Sequence, residues 1–190
     1  MPAHLEDRNI TSEVEGLNSA LIVACNMCAG ASFAMKENKP FVQFFSNFLT
    51  SPPLKRYIAK LQSQLKEKGV KTKWFKRGII QKFFLCLWTS RQRIKFRKCV
   101  DKYDSVIVLG CDSAFKTIRD SAQGTGCKVI EGTEFGGIMN TKSRFHFPCN
   151  ISFEHSDIVP VCDRHCKQFR QKSQQKKEES NVRNPKSYTG

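Results

Sequence analysis

Apolar residues are concentrated in short runs along the chain, and these runs predict buried strands. Segments 20–25, 105–110 and 127–130 combine Val, Ile and Leu and end in glycine, cysteine or charged residues, and 70–75 is a weaker example. Short apolar runs bounded by turn residues are typical of strands covered on both faces of a sheet. We therefore expect four such strands, with 145–153 as a further extended segment.

Segments with helical spacing of apolar residues separate the predicted strands. The first begins with Ser51 as the N-cap and Pro52 in the first turn, and it ends at Gly69. The segments with this pattern are 51–69, 79–88, 90–103 and 113–122. Residues 41–45 are predicted to form a short buried helix. The alternation of strands and helices predicts an α/β fold with a mainly parallel sheet flanked by helices.

The domain organisation follows from the same pattern. Residues 1–18 are predicted to be a polar lead-in, residues 19–166 an α/β domain, and residues 167–190 a disordered basic tail with too few apolar residues to fold. The first residues lack a signal-peptide pattern, and no apolar stretch is long enough to span a bilayer. We therefore expect a cytoplasmic protein, with peripheral attachment to a membrane as an open alternative.

The chain contains nine cysteines, and several follow predicted strands. The carboxyl ends of parallel strands meet at one edge of a sheet, where ligands bind. Thiolates are the ligands that zinc and iron–sulfur clusters prefer, and a reducing compartment disfavours a disulfide framework. The predicted metal ligands on Cys-bearing loops and in the last part of the domain are Cys25, Cys28, Cys111, Cys149, Cys162 and Cys166.

Other interpretations of the cysteines stay open. Cys25 and Cys28 could form a redox dithiol or simply pack in the core, and the 162–166 segment could be a surface turn. Three cysteines in apolar patterns are predicted to be core residues: Cys86, Cys99 and Cys127.

A glycine-containing segment after the 127–130 strand predicts a cofactor pocket. Thr133, Gly136 and Gly137 lie there, and glycine allows a backbone to approach a ligand closely. A tight loop without a ligand is the alternative. The sequence contains no Walker loop, nucleophile elbow or H-E-x-x-H motif, which argues against a self-contained hydrolase. Catalytic residues are therefore unassigned, and an accessory subunit of an oxidoreductase is favoured.

The formal charge of +15 is concentrated in one block. Residues 52–102 contain 16 Lys or Arg and two acidic residues, and aromatic residues are interleaved between 74 and 98. Such a block fits an acidic protein surface, an anionic membrane or, less well, nucleic acid. The alternative is a pair of core helices whose basic faces are solvated.

Three motifs together resemble a known family. The segments "LIVACNMCAGAS", "DSVIVLGCDSAFKTI" and "CKVIEGTEFGGIMN" are similar, in order, to the cysteine-rich small subunit or C-terminal domain associated with bacterial methylenetetrahydrofolate reductase. "CNMCAGAS" is also similar to a loop of the small iron–sulfur subunit that serves heterodisulfide reductase. The likeness covers roughly residues 20–166, but the terminal cysteines are fewer than in the family, and the basic block is not expected from it.

The resemblance implies an iron–sulfur centre, of the 4Fe-4S kind, or zinc, beside the flavin of a larger catalytic subunit. It places Cys25, Cys28 and Cys111 at the strand ends and the Cys162/Cys166 pair at the terminal cluster. The leading hypothesis is an accessory protein that transfers electrons to, or completes, a redox or one-carbon (methyl-transfer) enzyme. The alternatives are a basic zinc module that binds nucleic acid and a peripheral membrane protein.

Overall fold

The computed structural model describes residues 3–43, 51–76, 84–147 and 150–159. These residues form strands and four α-helices arranged around two sheets, which confirms the α/β class. The strands are β1 Ala3–Asp7, β2 Ser19–Ala24, β3 Val42–Gln43, β4 Lys71–Trp74, β5 Ser105–Leu109, β6 Lys128–Glu131, β7 Thr133–His146 and β8 Asn150–Val159. The helices are α1 Cys28–Lys36, α2 Pro52–Glu67, α3 Ser90–Val100 and α4 Asp112–Ala122, with a 3-10 turn at Leu85–Leu87.

One sheet is parallel and has the order β4-β2-β5-β6. The chain adds β4 on one side of β2 and then returns to add β5 and β6 on the other side. The direction of winding therefore reverses between β2 and β5. In parallel sheets, the crevice at the carboxyl ends of such a strand pair is where ligands bind.

Helices cover both faces of the parallel sheet, because alternate side chains of each central strand point to opposite faces. Ile22 and Ile107 face α1 and α2, whereas Val23 and Val108 face α3 and α4. β5 is buried along its whole length. The four strands predicted at 20–25, 70–75, 105–110 and 127–130 thus form this sheet.

A second, antiparallel sheet, with the order β1-β7-β8-β3, was not predicted. Three local predictions are wrong because the residues concerned form strands of this sheet. The polar lead-in contains β1, which pairs with β7. Val42–Gln43 is a strand on β8 rather than part of a helix. The segment from Thr133, predicted to be a loop, is the start of the long strand β7.

Helix α1 lies between the two sheets and is buried on nearly all sides. Its buried side chains are mostly small, as in Ala29, Ala31 and Ala34, which lets neighbouring elements approach closely. Phe33 packs with the parallel sheet, while Ala31 and Ala34 pack with Met139 of β7. A helix that is apolar all round is a core helix, and α1 holds the two sheets together.

Some predictions fall outside the described residues. These include the tail, and Cys149, Cys162 and Cys166. The predicted helix at 79–88 is described only from 84 onward, where Leu85–Leu87 forms a 3-10 turn. Among the described residues, none of the helices is both long enough and apolar enough to span a bilayer.

The aromatic packing beneath α3 generates a stability prediction. Phe96 is 0% exposed, and its ring centroid lies 5.3 Å from that of Phe75 and 5.2 Å from that of Trp88. We expect Phe96→Ala to lower the free energy of unfolding by about 3–5 kcal/mol, because it leaves a cavity in the core. Urea denaturation measures this. Ile94→Ala, at a 57% exposed position of the same helix, is the control and should change the midpoint little.

A carboxylate at the amino ends of β2 and β5 generates a pH prediction. Asp104 accepts hydrogen bonds from the backbone N–H groups of Asn18 (2.9 Å) and Ser19 (2.8 Å), which lower its pKa. A lowered pKa means that this stabilisation is present above the ordinary Asp pKa and is lost as the pH falls through the folded-state value.

We therefore expect Asp104→Asn to lower the melting temperature at pH 7. The difference from the parent protein should shrink below about pH 4, where the carboxyl of the unfolded chain is protonated. Thermal unfolding across this range tests it. A difference that stays constant with pH would contradict the role given to the ionised carboxylate.

Candidate thiolate site

Four cysteines line one cavity of about 510 Å³. They come from three separate parts of the chain and are Cys25, Cys28, Cys86 and Cys111. Cys25 directly follows β2, and Cys111 comes two residues after β5. The backbone N–H of Cys25 donates to the carbonyl of Leu109 at 2.8 Å, so the ladder between β2 and β5 continues into the site. The cavity therefore opens where the winding of the sheet reverses.

The turn between β2 and α1 places the first two thiols. Cys25 is 1% exposed, and its carbonyl accepts the backbone N–H of Ala29 at 3.1 Å, which begins the helix. The Asn26 side-chain oxygen accepts the backbone N–H of Ser51 at 2.9 Å and ties the turn to the start of α2. The backbone N–H of Ala3 hydrogen-bonds the Cys28 sulfur, so β1 closes over the site.

A second turn places Cys111 at the N-terminus of α4, where it is the N-cap residue. A Cβ on Gly110 would lie 2.8 Å from Cβ of Ala114 and 3.3 Å from Cβ of Cys25, so this tight approach requires glycine. The buried hydroxyl of Thr133 accepts the N–H of Gly110 and donates to its carbonyl, each at 3.1 Å. Thr133 thus holds the turn that carries Cys111.

Hydrogen bonds among three thiols dominate the electrostatics of the site. Cys28 bonds through its side chain to both Cys111 and Cys25, which lowers the pKa of Cys25 to about 7 and that of Cys111 to about 6. The same bonds, together with burial, raise the pKa of Cys28. Cys28 therefore keeps its proton at a pH at which Cys25 and Cys111 lose theirs.

Backbone groups at the start of α4 add to this effect on Cys111. The backbone N–H groups of Ser113 and Ala114 lower the pKa of the Cys111 thiol further, against the opposing effect of burial. Unpaired N–H groups and the helix dipole make a helix N-terminus favourable for a thiolate. Since α1 begins at Cys28, two helix N-termini meet at this cavity.

The apolar sequence around Cys86 gave no indication that this cysteine belongs to the site. It was predicted to be a core residue, but it is only partly buried and lines the cavity from the 3-10 turn. Leu85 is 1% exposed and fixes the turn in the core, and its N–H hydrogen-bonds the Cys25 sulfur. Burial raises the pKa of the Cys86 thiol, as do the charges of Cys25 and Cys111.

The pairing of strands explains the two glycines on which the predicted cofactor pocket was based. Gly136 lies at an irregularity in the pairing of β1 with β7, and Gly137 has φ +149°. A Cβ on Gly137 would lie 2.8 Å from the carbonyl oxygen of Val159. The glycines therefore permit a β-bulge and close strand pairing. Phe135 and Ile138 of the same strand line the cysteine cavity, so cofactor contact by this segment stays a prediction.

The metal centre also stays a prediction. As the side chains stand, no group of three or more His, Cys, Asp or Glu residues within the described ranges could hold a metal ion. Instead, the thiols bond to one another. Cys99 and Cys127, also predicted to be core residues, are partly buried and pack against the core near α3 and β6, and burial raises the pKa of Cys127 to about 11.

In the basic block, two aromatic side chains are buried, whereas Phe84 is 37% exposed. Trp88 and Phe96 are 6% and 0% exposed, and they pack against each other in the core with Phe75. The buried rings of Trp88 and Phe96 are therefore not accessible for stacking with bases or for insertion into a bilayer. The exposed basic residues of α3 are Arg91, Lys95, Arg97 and Lys98.

Comparison with known proteins finds no matching family model, curated protein or solved structure. The resemblance to the reductase-associated subunit consequently stays a prediction, and function has to be argued from the site.

The lowered pKa of Cys111 generates a reactivity prediction. In chelator-treated, reduced protein, we expect alkylation of Cys111 by iodoacetamide to reach half its maximal rate near pH 6, because the thiolate is the nucleophile. Cys127 should react slowly until the pH approaches 11. Peptide mass spectrometry after timed labelling measures both rates in one sample. A Cys111 profile centred near pH 9, the ordinary thiol value, would contradict the assigned hydrogen bonds.

Proposed function

We propose that this chain is an accessory protein with a thiolate-held iron–sulfur or zinc centre, which transfers electrons to, or structurally completes, a larger redox or methyl-transfer enzyme. The observation that carries the proposal is the presence of four cysteines around one cavity at the reversal point of a parallel sheet. Soft thiolate donors select zinc and iron–sulfur clusters over hard cations.

The surroundings of the cavity favour a negatively charged centre. Two helix N-termini face it, and their N–H groups stabilise thiolates. Much of the remaining lining is apolar and comes from Ala3, Met27, Phe84, Phe135 and Ile138. An apolar shell restricts water and adjusts the potential of a redox centre. An iron–sulfur cluster would supply one-electron transfer at this place, whereas zinc would supply structural cross-linking.

Proton release is the step that the chain itself must perform. Cys28 holds a proton in its bonds to Cys25 and Cys111, and thiols bind metal only as thiolates. The neighbours already ionise near neutral pH, so loading needs the loss of the Cys28 proton and rotation of the thiols away from one another. Within the described ranges, no group of three or more His, Cys, Asp or Glu side chains is placed to hold a metal ion, so binding would require this rearrangement.

The exposed basic surface supports an acidic partner. On α3, Ile94 is 57% exposed. Arg91 and Arg97 lie about one helical turn before and after it, Lys95 follows it directly, and all three basic side chains are exposed. Charge complementarity of this kind speeds and orients association between proteins. Leu87, which follows Cys86 in the chain, is a second exposed apolar side chain at 71%. The proposed catalytic partner would therefore present acidic residues around an apolar contact.

The proposal predicts a bound metal. Protein purified without oxygen should contain iron and sulfide in equal amounts, or one zinc, and Cys28→Ser should lose at least about half of it because a ligand is removed. Metal and sulfide assays with a visible spectrum measure this. Cys127→Ser removes a cysteine outside the cavity and is the matched control. Metal-free parent protein, or full loading of Cys28→Ser, would overturn the proposal.

A dithiol function is the second candidate, and the direct thiol–thiol contacts favour it. Cys28 is hydrogen-bonded to both Cys25 and Cys111, so a two-electron oxidation could join it to either neighbour. A low-pKa thiol beside a second thiol is the usual arrangement for reversible oxidation. Metal-free protein that forms a disulfide at Cys28 with oxidised glutathione would support this candidate over the first.

A further inference from the structure

We propose that Cys86 is the fourth thiolate ligand, so that Cys25, Cys28, Cys86 and Cys111 form the complete ligand set of the centre. This inference deepens the proposed function and rests on it. It replaces the sequence-based assignment, in which the further ligands come from Cys149, Cys162 or Cys166. Four thiolates complete either a tetrahedral zinc site or a cubane iron–sulfur cluster.

The position of Cys86 carries the proposal. The 3-10 turn Leu85–Leu87 lies against α4, whose N-terminus holds Cys111. Leu85 is buried in the same core cluster as Cys25, and its backbone N–H reaches the Cys25 sulfur. The next residue, Cys86, then lines the cavity together with the other three cysteines. A buried backbone segment thus presents the fourth thiol to the cavity.

The exposure of Cys86 agrees with a ligand role. Its two neighbours have opposite environments, since Leu85 is 1% exposed and Leu87 is 71% exposed. The turn therefore passes from the core to the surface at Cys86. The cavity wall on this side also includes Phe84. A thiol here can reach a centre in the cavity without the burial that makes Cys25 inaccessible.

Two further cysteines provide matched controls. Cys127 precedes β6 at the amino end of the parallel sheet, and its pKa is raised by burial and by Asp104 and Asp101 of that same end. Cys99 lies on α3, near Tyr103. Both are partly buried, as Cys86 is, but neither lines the cysteine cavity.

Cobalt binding tests the ligand count directly. Reduced, chelator-treated full-length protein is titrated with Co²⁺, and the thiolate-to-cobalt charge-transfer absorption is recorded for the parent and for single Cys→Ser variants. We expect Cys86→Ser to reduce this absorption to about three quarters and to weaken Co²⁺ binding at least about tenfold, because one of four thiolates is lost. Cys99→Ser, Cys127→Ser and Cys149→Ser should match the parent, as should the Cys162→Ser/Cys166→Ser double variant.

The outcomes separate this inference from the proposed function. If the parent binds Co²⁺ through thiolates and Cys86→Ser binds it identically, Cys86 is not a ligand and only this inference fails. Loss of a thiolate in Cys149→Ser or in the double variant would restore the earlier assignment. If the parent shows no charge-transfer band and no iron, the proposed function fails and this inference fails with it.

Two further measurements distinguish the loss of a ligand from misfolding of the variant. Urea denaturation of the metal-free variants checks that Cys86→Ser unfolds at the parent midpoint. In the unmutated protein, Co²⁺ should slow alkylation of Cys86 at least about tenfold while leaving Cys99 and Cys127 unchanged, because coordination removes the free thiolate. Equal protection of all three cysteines would overturn the proposal without any substitution.

Discussion

The pairing of β2 with β5 is the constraint on which the rest of the structure depends. These two parallel strands are hydrogen-bonded from Ala20 to Ala24, and the ladder ends at the bond from Cys25 N–H to the Leu109 carbonyl. Both strands are buried on both faces. Since the chain leaves them in opposite directions, a gap opens beyond their carboxyl ends. The two thiol-bearing turns meet there because the strands beneath them cannot slide without exposing the core.

The second sheet makes this gap a cavity. Helix α1 begins at the site and packs on both sheets, so its small residues determine how closely β1 and β7 approach the cysteines. Ser32 shows the connection, since its hydroxyl accepts the N–H of Leu5 at 2.9 Å and donates to the carbonyl of Cys28 at 2.9 Å. The antiparallel sheet therefore provides the lid of the site, including Phe135 and Ile138.

Local patterns predicted the parallel half of the fold well and the antiparallel half poorly. The strands of the parallel sheet are short apolar runs, and their identity follows from hydrophobicity alone. β1 and β3 are short strands whose structure depends on partners distant in the chain, so nothing local distinguishes them from loops. The meeting of Cys25 with Cys111 followed from strand order, whereas Cys86 lay in an apolar run, and only the crossover path brings it to the cavity.

The thiol arrangement balances two requirements: little repulsion between neighbouring sulfurs, and thiolates that could bind a metal. Three sulfurs in contact would repel one another if all were ionised, and the proton held by Cys28 prevents this in the chain alone. The helix N-termini stabilise the negative charge that remains. A bound cation would remove the need for that proton and would couple loading to the stability of α1 and α4. The residues that stabilise negative charge in this chain are therefore the ones that a thiolate centre would use.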